Sequence, residues 1–270
     1  MRSRKSEDVR QTRAPKRLTR ASLARGVRAL SEVDPGLARV ARDYGLPPLW
    51  EREEGFATLV LTILEQQVSL ASALAAFERL RAAASPVTPE SFLTFDDAQL
   101  RAFGFSRQKA LYCRLLARAI LDGELDLPKL ASLSDEDARA ELLKLKGVGA
   151  WTAEIYLLRA LLRSDAWPAG DLALQLAAQK VKRLPARPTA AELEALAERW
   201  RPLRAVAARL LWLQYLDGRR AAHARDVPLL RRRTAPRLRL QPPEGPLLPP
   251  PRARDSGRGA GLVEALSVKR

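Results

Sequence analysis

The chain has 270 residues, 47% of them apolar, a formal charge of +16, one cysteine and one histidine. That apolar fraction fills a core for one large or two small domains, and the charge points to a polyanionic partner. A lone Cys113 excludes a disulfide, a thiolate zinc site or a four-cysteine cluster within one chain, and a lone His223 excludes histidine triads and multi-histidine metal sites.

In chain order, residues 1–20 hold eight basic and two acidic residues and are expected to form a disordered tail. No apolar stretch follows their charge, so they do not make a secretory signal. Residues 22–31 and 35–44 are short amphipathic helices by pattern, and 55–68 (GFATLVLTILEQQV) reads as a buried apolar helix. Ser69 starts a helix over 70–83, and Asp96 caps 97–103. Ser106 caps 107–121, with Cys113 as a small core residue and Gly123 after the end. Ser134 caps 135–144, with Asp137 at the capping-box distance where Glu or Gln is usual. Helices over 150–163, 172–183, 190–199 and 202–216 complete the set. No segment alternates like a strand, and no fixed-period repeat occurs. The fold class is all-α, with a helical core over 21–217.

Residues 218–270 carry thirteen basic and four acidic residues, and 235–262 are rich in Pro, Gly and Arg. This is a second basic tail, irregular by composition. His223 beside it and Arg231–Arg233 read as solvated, the arginines able to touch phosphates. Residues 21–217 are nearly balanced, with 26 basic against 25 acidic residues. The basicity therefore sits in the tails, which supply salt-sensitive, sequence-independent affinity for nucleic acid but no chemistry. No run approaches the roughly 18 apolar residues of a membrane span. A cytoplasmic, nucleoid-associated monomer is expected.

The most informative stretch is Leu145-Lys146-Gly147-Val148-Gly149-Ala150-Trp151-Thr152-Ala153, between two predicted helices. Glycines on either side of one apolar residue allow a sharp reversal and leave no Cβ to keep a phosphate from the backbone. The N–H groups opening the next helix can then receive that phosphate, while Val148 packs inward. An ordinary helix–helix turn has the same G-x-G core, so the flanking L-x-G-V-G-x-x-T-A pattern carries the distinction.

That pattern resembles the helix-hairpin-helix DNA glycosylase superfamily (HhH-GPD), in which a Gly/Pro loop and an Asp follow the hairpin. Here the loop is Ala166-Trp167-Pro168-Ala169-Gly170 and the acid is Asp171, twenty positions after Trp151. Lys146 stands where the family usually has Pro, and could add a phosphate contact. The position of Trp151 is a Schiff-base lysine in the strand-cutting members. A Trp there resembles the bacterial inducible 3-methyladenine glycosylases, with their aromatic base pocket. Arg199-Trp200-Arg201-Pro202-Leu203-Arg204 is similar to the R-W-x-P-x-R stretch of that branch, and Trp212 falls where it has a pocket Trp. Ile63-Leu64-Glu65-Gln66-Gln67-Val68-Ser69 resembles its I-L-x-Q-x-V-S segment, in which the residue at Gln67 fills the gap left by an extruded nucleotide. Gly104-Phe105-Ser106-Arg107-Gln108-Lys109 resembles its G-x-S-x-x-K segment. The departures are Ile155 where larger members carry Tyr, with Tyr156 expected to face elsewhere, and no room for an N-terminal β-domain.

The resemblance implies two helical subdomains flanking a cleft and a monofunctional glycosylase acting on alkylated purines in duplex DNA. It implies Asp171 as the essential carboxylate and Trp151 and Trp212 as base pocket. Gln67 and Gln66 become the duplex wedge, and Lys146, Gly147, Val148, Gly149 and Thr152 the phosphate-binding hairpin. No cofactor or metal is expected, beyond a monovalent cation on hairpin carbonyls by family analogy. Each residue also has a plainer reading. Asp171 after Pro-Ala-Gly is a good helix N-cap, Trp151 and Trp212 suit a core, and the two glutamines can cap a helix end. The alternatives at the level of function are a glycosylase for another damaged base and a non-catalytic helix-hairpin-helix DNA-binding protein.

Overall fold

A computed structural model describes residues 17–226. Among them all the regular elements are helices, and the only extended pairing is an isolated bridge between Arg17 and Arg163. The helices are α1 (Arg20–Val33), α2 (Pro35–Tyr44), α3 (Phe56–Glu65), α4 (Leu70–Ala83), α5 (Pro89–Leu93), α6 (Asp97–Phe103) and α7 (Arg107–Leu121). There follow α8 (Leu127–Leu130), α9 (Asp135–Leu143), α10 (Ala150–Arg159), α11 (Leu172–Lys182), α12 (Ala190–Ala197), a 3-10 turn at Glu198–Trp200, and α13 (Arg204–Asp226). No helix among the described residues is long and apolar enough to cross a membrane.

Local chemistry sets most boundaries. Thr19, Asp34, Ser69, Thr88, Asp96, Ser106, Asp126, Ser134, Asp171 and Thr189 each accept an N–H of the first turn of the helix they precede. Ser134 behaves as expected, but Asp137 does not close the box. Its carboxylate takes the Ser134 hydroxyl at 2.8 Å instead of a backbone N–H, because Asp is one methylene shorter than Glu. The short helices α5 and α8 had no period to betray them. Each is a single turn with Pro in its first turn behind a Thr or Asp cap.

The packing falls into two sets. Helices α1, α2, α11 and α13 pack on one another, and α3, α4, α5, α6 and α7 form a second group. Helix α10 lies against α3 and α9. Its outer residues Trp151 and Arg159 stay partly exposed, while Thr152 to Leu158 are buried. Leu23, Leu37, Leu59, Ile63, Leu80, Cys113, Tyr156 and Leu210 are among the fully buried core. Burial pushes the Cys113 thiol well above its usual pKa, so it is inert packing.

Two expected boundaries shift. Residues 17–20 belong to the core and not to a tail: Leu18 is buried, its N–H donates to Leu162 O at 2.7 Å, and Thr19 caps α1. At the other end the α13 backbone runs on through Asp226, past the expected limit at 217. Residues 1–16 and 227–270, with Arg231–Arg233 and the 235–262 segment, lie outside the described residues, as does the side chain of His223.

Buried ion pairs tie the outer elements together. Asp34 caps α2 through Gly36 and Leu37 N–H groups at 3.0 and 3.1 Å, accepts Trp200 Nε1 at 2.7 Å and pairs with Lys182. Trp200, part of the R-W-x-P-x-R match, is thus a core residue. Arg204 grips Asp165 through two 3.0 Å bonds and reaches Glu194 at 2.8 Å, fixing the start of α13.

Candidate active site

The hairpin joins α9 to α10. Gly147 has φ +94°, and a Cβ there would lie 2.2 Å from the Tyr112 ring. Only glycine satisfies both demands. Val148 is buried, as expected of an anchor, and its N–H bonds Leu145 O at 3.1 Å. Gly149 is the N-cap of α10 and offers no side-chain cap, and the space where a Cβ would stand is open. The first-turn N–H groups of Ala150, Trp151 and Thr152 thus have no capping side chain, on a side that an anion can approach. Lys146 is exposed beside them.

One expectation about this region needs correction and another is narrowed. The Thr152 side chain is buried, and its hydroxyl accepts Gln66 Nε2 at 2.9 Å, which leaves its backbone N–H as the group facing the open end of α10. Gln66 is not free to enter a duplex, because the same Nε2 also donates to Gly147 O at 2.9 Å. The amide of Gln66 stitches the end of α3 to the hairpin. Gln67 is the one left exposed, with φ +56°. Lys109 secures this turn from α7, its ammonium donating to Leu64 O at 2.7 Å and Gln66 O at 2.8 Å. Burial lowers the Lys109 pKa below its ordinary value. The G-x-S-x-x-K segment therefore delivers a lysine that caps the C-terminus of α3. Leu145 O and Gly147 O already accept hydrogen bonds, so a cation at the hairpin would share those oxygens with Val148 N–H and Gln66 Nε2.

Asp171 is the N-cap of α11, and Oδ1 accepts Leu174 N–H at 2.9 Å. The same oxygen accepts Trp212 Nε1 at 3.2 Å, and Oδ2 accepts Trp151 Nε1 at 3.1 Å. Asp171 is thus a helix cap whose carboxylate also accepts the indole N–H groups of both tryptophans. Asp171 remains partly exposed. The loop before it is pinned from beneath: Trp167 N–H donates to Glu154 Oε2 at 2.7 Å, and Glu154 is itself buried and paired with Arg139. Asp171 N–H closes a turn onto Pro168 O at 2.9 Å.

Tyr156 faces away from the carboxylate, as its register implies. It is fully buried, accepts Gly55 N–H at 3.0 Å, and burial raises its phenol to about 12. Sequence reasoning missed Trp50, Arg159 and Arg209. Trp50 stands edge-on to Trp212, ring centroids 6.2 Å apart and planes at 76°. Arg159 Nε donates to Trp50 O at 3.0 Å. Burial, then Arg52 nearby, lowers the Arg159 pKa to about 10, opposed by Glu65 and Asp171. Arg209 is wholly buried on three carbonyls, those of Leu49, Ala205 and Leu158. No periodicity marks 45–55, and an arginine within an apolar helix reads as solvated until its acceptors are seen. Among the described residues no three His, Cys, Asp or Glu side chains cluster as metal ligands would.

A glycine-turned hairpin followed at fixed distance by a capping aspartate defines a class. The model of the HhH-GPD superfamily base excision DNA repair proteins matches residues 60–202, and the chain belongs to that family. It is 31% identical over 180 residues to DNA-3-methyladenine glycosylase 1 of Schizosaccharomyces pombe, covering 65% of this chain and 79% of that one. The solved structure of the S. pombe 3-methyladenine DNA glycosylase in complex with abasic DNA superposes with a TM-score of 0.65 at 29% identity, over 70% of this chain and 95% of that one. A DNA-3-methyladenine glycosidase from Bacillus halodurans gives 0.62 at 28% identity, over 70% and 88%.

Proposed function

We propose that this chain is a monofunctional DNA glycosylase that hydrolyses the N-glycosidic bond of alkylated purines, of the 3-methyladenine and 7-methylguanine type, in duplex DNA. The observation that carries this reading is a single carboxylate, Asp171, held between the indole N–H groups of Trp151 and Trp212.

A base inside a duplex must be extruded before its sugar carbon can be reached. In this reading the open N-terminus of α10 with Lys146 grips a backbone phosphate, and Gln67 fills the vacated stack. N3- or N7-alkylation makes the purine cationic and a good leaving group. The faces of Trp151 and Trp212 favour such a base by stacking and cation–π attraction, on the order of 0.5–2 kcal/mol. As the bond breaks the sugar becomes oxocarbenium-like, and the Asp171 carboxylate stabilises it or orients the attacking water. Trp at 151 cannot form the Schiff base of strand-cutting members, which supports hydrolysis without lyase action.

The test is release of 3-methyladenine, 7-methylguanine, hypoxanthine, uracil and 8-oxoguanine from duplex DNA by wild type and Asp171→Asn. The expected result is release of the alkylated purines by wild type, a fall of about 10²–10⁴-fold in the variant, and DNA binding retained. Wild-type protein that binds DNA and releases none of the five would make it a non-catalytic binding module.

A further inference from the structure

Trp50 lies in the irregular segment between α2 and α3, outside every motif of the hairpin, the wedge and the acid. Its φ of +48° is a conformation that bulky side chains rarely adopt, and persists only where the surroundings over-determine it. They do so here. Arg209 Nε holds Leu49 O at 2.9 Å, Arg159 Nε holds Trp50 O at 3.0 Å, and Arg52 N–H returns to Arg159 O at 2.9 Å. Arg52 is in turn forked onto the buried Glu65, at 2.9 and 2.5 Å. The two clamping arginines project from α10 and α13, the helices that carry Trp151 and Trp212. The clamps set the Trp50 indole edge-on against Trp212, whose own N–H is on Asp171. All three indoles are half-buried, and Trp212 packs on the hydrophobic core.

A large indole held in a rare backbone conformation, by two arginines from α10 and α13, at the rim of the carboxylate site is not explained by core packing. We infer that Trp50 is a specificity-determining third wall of the base pocket, selecting positively charged alkylpurines over neutral damaged bases together with Trp151 and Trp212. This rests on the glycosylase reading. An indole face beside the Asp171 carboxylate presents negative potential, which a cationic purine gains from and a neutral one does not.

The experiment compares single-turnover release of 7-methylguanine and hypoxanthine from duplex DNA by wild type, Trp50→Phe and Trp50→Leu, with thermal melts of each. Trp50→Leu should lower the ratio of cationic to neutral base release by about 2- to 30-fold, the span to which one cation–π contact converts. Trp50→Phe should retain most of that ratio. A Trp50→Leu protein that melts cooperatively and keeps the wild-type ratio overturns the inference, whether both rates stay the same or fall together. If Leu impairs folding, Trp50→Met takes its place: a Trp50→Met protein that melts cooperatively and keeps the wild-type ratio overturns the inference equally. Wild type that releases neither base overturns the glycosylase reading and this inference with it.

Discussion

At the scale of single residues, several side chains do structural work that looked functional, and the reverse. Asp34 is the clearest structural case. Burial alone would raise its pKa, but hydrogen bonds from Lys182, Trp200 and Leu37 N–H outweigh it and hold the carboxyl below its ordinary 3.8. A depressed folded pKa contributes stability that is present above the unfolded value and is lost as pH falls through the folded one. Asp34→Asn should therefore cost about 3 kcal/mol at neutral pH, by stranding Lys182. The gap to wild type in urea unfolding should close as pH drops below about 4. A gap that does not narrow at all as the pH falls below about 4 would contradict this account. Lys109→Met removes two charge-assisted bonds to the end of α3 and should destabilise by about 1–3 kcal/mol in the same measurement. Asp171 was legible in the sequence because its spacing to Trp151 is fixed by one helix and one short loop. Gln66 and Gln67 were not separable there, since adjacent amides at a helix end differ only in which way the turn points them. Trp50 was invisible because its meaning comes from Arg159 and Arg209, 109 and 159 positions away.

At the scale of elements, periodicity and caps located α1–α4, α6, α7 and α9–α12 to within a few residues, and found the start but not the end of α13. The ends that moved are those where the backbone turns without a cap-forming side chain, as at the C-terminus of α3. The hairpin is the element on which DNA contact depends in the proposed reading, and its geometry admits one sharp prediction. Gly147→Ala places a Cβ inside the Tyr112 ring at a φ of +94°. It should cost roughly 1–3 kcal/mol in backbone strain alone and weaken binding to any duplex, damaged or not. Gly149→Ala meets open space at an extended φ of −92° and should fold like wild type. Thermal melts and a fluorescence-anisotropy titration with undamaged DNA distinguish the two. Equal behaviour of the two variants would refute the steric account.

At the scale of the whole molecule, most of the net positive charge lies outside the described residues. Residues 1–16 hold six basic and two acidic residues, and 227–270 hold ten and three. A chain trimmed to 17–226 should bind undamaged DNA more weakly, with a flatter dependence of log affinity on log salt. It should still release alkylated base at low salt. Loss of all single-turnover release in the folded, trimmed protein would refute that division of labour. The boundary matters: trimming to 21–217 would also remove the buried Leu18 and the Thr19 capping box. Those are worth about 1.5–3 kcal/mol and about 1 kcal/mol, so the shorter piece should melt several degrees lower.

Gln66 bolts the turn bearing Gln67 to the hairpin and Lys109 braces the same turn from α7, so the probing finger and the gripping hand are a single casting. Such a tool has no adjustable reach. In the proposed reading, wherever it closes on the strand it interrogates the nucleotide at one set offset from the seized phosphate, and inspecting the next one requires letting go and stepping along.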